Sequence, residues 1–112
     1  MLGYDAHVHE VLAGVTTEDL RRIGEISYEE RRGYLRTLLS RRIAYVPYPT
    51  WVDELLGATT DGRVELLHDG GYPYLFHARG AEIKSNFAAA DIDAISNLSD
   101  ATWYLVEAWD QS

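Results

Sequence analysis

Arg63-Val64-Glu65-Leu66-Leu67-His68-Asp69-Gly70-Gly71-Tyr72-Pro73-Tyr74-Leu75-Phe76-His77-Ala78-Arg79 decides how the rest of this chain is read. Two apolar and aromatic runs flank Asp69-Gly70-Gly71, the strongest local hairpin signal in the sequence. Glycine there supplies the positive φ angles that a tight reversal needs. With Gly70 and Gly71 as a two-residue loop, Leu67 faces Tyr74 and Glu65 faces Phe76. Val64, Leu66, His68, Pro73, Leu75 and His77 then share the more aliphatic face, which is expected to look inward.

Upstream of the hairpin the pattern is helical. Thr16-Thr17-Glu18-Asp19 opens a short helix expected over about 17–25, with acidic residues in its first turn. Ser27-Tyr28-Glu29-Glu30 fits a capping box, and Tyr28, Leu35, Leu38, Leu39 and Ile43 form one apolar sector, predicting a helix over about 28–43. Pro47 and Pro49 push Val46 and Tyr48 into extended geometry. A third helix follows over about 51–56, stopped by Gly57. Residues 1–15 fit either a strand or the start of a helix.

Downstream, Ala81-Glu82-Ile83-Lys84 reads as a short strand, and Ile92, Ile95 and Leu98 predict a helix over about 88–98. The last run, about 102–109, is a strand with apolar residues on both faces, which suits a central or well-covered position, the strand order being left open. With the hairpin at about 63–78, the expected architecture is one α+β domain over residues 1–112, its helices packed on one face of a small, mostly antiparallel sheet.

Composition narrows the functions. The net charge of −8 disfavours nucleic acid as the default partner, because phosphate contacts need clustered Lys and Arg. Yet seven of the ten basic residues fall between Arg21 and Arg42, a locally basic segment on an acidic body. Cysteine is absent, which removes disulfides, thiol catalysis and thiolate metal sites. No apolar run is long enough to span a bilayer and no basic leader opens the chain, so a cytoplasmic protein without membrane contact is expected.

The chemistry-bearing residues are few. His7 and His9 share a face if their segment is a strand, and His77 is the third candidate for one metal site; His68 is the remaining histidine. Asp5-Ala6-His7-Val8-His9 resembles the first-strand metal motif of the amidohydrolase superfamily, in which such a histidine pair holds a catalytic metal. The resemblance covers five residues of 112, and that family's barrel takes well over twice this length to supply the other ligands. No nucleophile motif, phosphate-binding glycine loop or metalloprotease motif is present, so no catalytic residues and no cofactor are assigned. Arg31 and Arg42 fall on or beside the apolar sector of the second helix, and with Tyr45, Tyr48 and Trp51 they make an aromatic and arginine patch.

Three functions are therefore expected, in order. The first is a non-catalytic inhibitor, immunity or regulatory module that docks on a basic protein surface through Asp61, Glu65, Asp69, Asp91, Asp93 and Asp100. The second is a small-ligand binder or metal-dependent enzyme using the aromatic and arginine patch with His7 and His9. The third is nucleic-acid binding through the Arg21–Arg42 helices. Trp103 and Trp109, on one face of the last strand, serve either as core or as the seam of a homodimer.

Overall fold

The computed structural model describes residues 3–70 and 72–111; Gly71, half of the expected two-residue loop, lies outside them. Five strands form one antiparallel sheet: β1 (Tyr4–Val11), β2 (Leu39–Thr50), β3 (Glu65–His68), β4 (Tyr74–Arg79) and β5 (Trp103–Asp110), ordered β2-β1-β5-β4-β3. Five helices join them: α1 (Thr17–Arg21), α2 (Tyr28–Leu38), α3 (Asp53–Thr60), α4 (Gly80–Asn86) and α5 (Asp93–Ser96). The fold is α+β. Its central strand is β5, and the run apolar on both faces is covered on both. None of the described helices is long and apolar enough to cross a membrane.

Strand alternation splits the apolar residues into two cores. Ala6, Val8, Phe76, Ala78, Tyr104, Val106 and Ala108 face one side, where Leu55 of α3, Ile83 of α4 and Ile95 of α5 close over them. Leu67, Leu75 and Leu105 face the other, under Leu20 of α1, Ile23 of the 3-10 turn that follows it, and Leu35 and Leu38 of α2. The helices thus lie on both faces of the sheet rather than one. The reason is visible in β4 and β5: Leu75 and Leu105 alternate with Phe76 and Val106, all four are fully buried, and apolar residues on both sides need a cover on both sides.

Several expected boundaries shift. The helix predicted to reach residue 43 stops at Leu38, and Leu39 is already extended at φ −101°, ψ 138°. Residues beyond it pair along β1, and backbone hydrogen bonding to that strand overrides a helical apolar spacing. Pro47 and Pro49 are tolerated because β2 is an edge strand with one unpaired side. The third helix begins and ends later than expected, at Asp53–Thr60. The segment read as a strand at 81–84 is helical within α4, and the helix expected over 88–98 reduces to a 3-10 turn and the four residues of α5. Asp91 breaks it with a left-handed φ of 52°. Gly80 opens α4 against the chain before β5, where an added Cβ would stand 2.1 Å from the Ser99 carbonyl oxygen.

The hairpin is present but its register differs. Glu65 faces His77, Leu66 faces Phe76 and His68 faces Leu75, with the pairing passing over Leu67. That irregularity buries Leu67 against Leu75 on one side while Leu66 packs with Phe76 on the other. A single inward face was therefore the wrong expectation. With helices on both sides, neither face of the hairpin has to be polar.

Candidate functional site

The face carrying Leu75 and Leu105 is only partly covered. α2 has 11 residues, about 16 Å of helix at ~1.5 Å per residue, against a sheet about 19 Å wide at ~4.8 Å per strand. Side chains on this face fall into rows across the strands. One row reads Arg42, His9, Leu105, His77, Glu65, and the next reads Tyr45, His7, Glu107, Leu75. Polar residues therefore gather on either side of the leucines, and each side carries an imidazole and a glutamate.

On the β1–β2 side the chemistry is densest. Ala6 and Val8 are fully buried in the core, so His7 and His9 must point to the opposite face. Antiparallel pairing with β5 puts Glu107 level with His7, and His9 Nε2 donates to Glu107 Oε1 at 3.2 Å across 98 residues of chain. Pairing between β1 and β2 passes over Ile43, so that Val8 faces Ala44 while His9 faces Arg42. Without that bulge Ile43 would stand beside His9 and the guanidinium would turn away. Instead Arg42 Nη1 donates to His7 Nδ1 at 3.2 Å and lies 5.5 Å over the Tyr45 ring. Tyr45 stacks on His7 at 4.9 Å and donates to Asp5 Oδ1 at 3.1 Å, the same oxygen that takes the Tyr48 amide at 2.8 Å.

Protonation follows from these bonds. A guanidinium only donates, so His7 Nδ1 must carry a lone pair and the ring is neutral, its proton on Nε2. Burial and the neighbouring Arg42 charge hold His7 below its usual range against the opposing pull of Glu107. For Glu107, burial pushes the carboxyl up, but the hydrogen bond from His9 and the neighbouring imidazoles outweigh it, and its pKa is lowered. The result is an ionised carboxylate holding His9 by one nitrogen. Among the described residues no hydrogen bond uses the other, Nδ1.

His9, Glu107 and Trp109 form the floor of a groove of about 950 Å³ whose wall is α2. Five arginines line it (Arg31, Arg32, Arg36, Arg41 and Arg42) against two glutamates, Glu29 and Glu107. Arg31 is structural: buried, it donates to the carbonyls of Ile23 and Ile26 at 3.1 and 3.2 Å. Arg41 pairs loosely with Glu10 at 3.8 Å. Arg32 and Arg36 are exposed and, among the described residues, have no ion pair. They stand one turn apart on the same helix face as Tyr28.

The expected site residues distribute unevenly. Arg42, Tyr45 and Tyr48 converge around Asp5 and His7, whereas Arg31 belongs to the packing of α2. Trp51 is exposed beyond β2, its carbonyl accepting from Asn86 at 2.8 Å. Of the acidic set, Asp61 pairs with Arg63, Glu65 with Arg21 and Asp100 with Lys84. Asp69, Asp91 and Asp93 are exposed, on the hairpin and around the start of α5. His77 does not join His7 and His9: Leu105 lies between it and His9 in the row, and it packs on Trp103 at 4.8 Å. Among the described residues no three His, Asp or Glu side chains gather to hold a metal ion. His68 Nδ1 donates to the Pro73 carbonyl within the hairpin at 2.7 Å, since a carbonyl only accepts.

A smaller cavity of about 660 Å³ marks the other side of the leucines, lined by Glu65, His77 and Trp103. The cations that touch its lining residues are already engaged. Arg21 holds Glu65 at 3.0 Å and Arg79 covers the Trp103 ring at 5.1 Å. Burial lowers the His77 pKa, opposed by Glu65.

Sequence reasoning named Trp109 only as core or dimer seam and Arg32 and Arg36 only within the basic Arg21–Arg42 segment, and it assigned Glu107 to no site. Glu107 left a trace, being the one carboxylate inside an otherwise apolar strand core. Arg32 and Arg36 left a fainter one, an i, i+4 pair of like charges that a bare helix would avoid. Comparison with protein-family models, with curated proteins and with solved structures finds no match to this chain.

Proposed function

We propose that this protein binds a small anionic ligand in the groove between α2 and the β1–β5 part of the sheet. Charge segregation carries the reading. Half of the ten basic side chains line one groove on a molecule of net charge −8, and two of them, Arg32 and Arg36, have no ion pair among the described residues. Like charges one helical turn apart repel unless something bridges them, and a planar guanidinium pair matches the oxygens of a phosphate or carboxylate. Arg42, held by His7 and Tyr45, adds a third cation of fixed orientation. His9, gripped by Glu107, keeps a second nitrogen for exchanging a proton with the bound molecule.

Calorimetric titration with inorganic pyrophosphate, at low and physiological ionic strength, tests this. Saturable one-site binding that weakens with salt is expected, reduced at least about ten-fold in an Arg32→Ala, Arg36→Ala double variant. A wild-type protein that takes up no pyrophosphate, or a double variant that binds it equally well, overturns the reading.

One observation favours the docking reading as a second choice. With five arginines collected in the groove, sixteen carboxylates face only five basic side chains elsewhere. A basic partner protein is attracted to such a surface from a distance. Its signature is salt-dependent association with a cationic protein that survives the double arginine variant but not Asp91→Asn with Asp93→Asn.

A further inference from the structure

We infer that the ligand is a nucleoside phosphate, its phosphate on Arg32 and Arg36 and its base stacked on the aromatic rings of the same groove; this rests on the anion-binding reading. An anion alone does not account for the rings. Tyr28, at the first turn of α2, is 66% exposed and has no ring or hydrogen-bond partner among the described residues. It stands one turn before Arg32 and two before Arg36, so ring and cations form a single stripe along the wall. On the floor Trp109 offers a second, half-buried ring beside Glu107. Leu35 and Pro73 complete an apolar patch between them.

Exposed aromatic faces beside guanidinium groups are the combination that binds bases and phosphates together. Stacking takes the π-face of the base, and the cation takes the backbone anion. The Glu107 carboxylate, kept ionised by His9, adds an acceptor for a base amine or a ribose hydroxyl. A groove of about 950 Å³ lies within the range that accommodates ligands of nucleotide size. The acidic remainder of the surface keeps a long polyanion from spreading, so contact is confined to few phosphates.

Titration with ADP, UDP, pyrophosphate and adenosine, followed by calorimetry and tryptophan fluorescence, tests the proposal. The nucleoside diphosphates are expected to bind about ten-fold or more tightly than pyrophosphate, and adenosine weakly. Tyr28→Ala, at an exposed position that leaves the Ser27 cap in place, should remove about ten-fold of nucleotide affinity and leave pyrophosphate unchanged. Equal affinity for pyrophosphate and both nucleotides, or a Tyr28→Ala variant that binds nucleotide normally, sinks the nucleoside proposal while the anion groove stands. Failure of pyrophosphate and nucleotides alike sinks both. A hexauridylate arm separates the sources: affinity well above UDP marks a single strand as the natural ligand, and affinity equal to UDP marks a free nucleotide.

Discussion

The two faces of the sheet are built from the same strands and differ in everything the side chains do. On one, Ala6, Val8, Phe76, Ala78, Val106 and Ala108 are all fully buried under three helices. On the other, the alternate positions of the same strands hold His7, His9, Glu107 and Trp109 as well as Leu75 and Leu105. A short α2 covers the leucines and leaves the rest facing a groove. The closed face carries the larger core, and the half-covered face opens onto the groove. Within the second face the comparison sharpens again. Beside His77 and Glu65 the cations Arg21 and Arg79 are engaged by Glu65 and Trp103, whereas in the groove beside His9 and Glu107 Arg32 and Arg36 have no ion pair among the described residues.

Substitutions can break this contrast in graded fashion. Phe76→Ala removes one of the two largest fully buried side chains of the closed face and should cost about 3–5 kcal/mol of unfolding free energy in a denaturant titration. Leu105→Ala, equally buried but under the thinner cover of α1 and α2, should cost about 2–4 kcal/mol, since that cover can settle into the space. If the two losses came in the reverse order, the closed face would not be the main source of stability.

A smaller effect separates the two faces by pH. The fold lowers the His7 and His77 pKa values below 6.5, so their contribution is complete above that pH and is lost as pH falls through the folded values. Glu107 is also lowered, from 4.5, so its contribution is present above that pH and disappears below it. Thermal stability should therefore decline in two stages on acidification. Glu107→Gln should deepen the first stage, because the charge that pulls His7 upward is gone, and weaken the second, and identical acid limbs in variant and wild type would mean that the Glu107 carboxylate stabilises nothing. Smallest of all, Arg32→Ala with Arg36→Ala should change stability by no more than about 0.5 kcal/mol, because both residues lie exposed on the groove wall. Loss of ligand without loss of stability is the mark of a binding surface.

Local chemistry made much of the scaffold legible in advance. Ser27 was readable as a cap because its hydroxyl oxygen meets the Glu30 amide, a bond made within four residues. That β5 is covered on both faces was readable, because such burial demands apolar residues at consecutive positions, whereas its central place in the strand order was not. The end of α2 was not, since Leu39 and Ile43 continue a helical spacing and only the pairing of 39–50 with β1 turns them into a strand.

The sequence by itself determined an α+β chain with a well-capped second helix, a two-faced final strand, and basic residues concentrated between Arg21 and Arg42. Those properties arise from neighbours within a few residues, where propensity, capping and alternation act. Only the tertiary structure decided that Glu107 would meet His9 across 98 positions, and that a bulge at Ile43 would turn Arg42 toward His7. Strand order and register are set by which buried faces fit together, and that is a property of the whole chain rather than of any stretch of it.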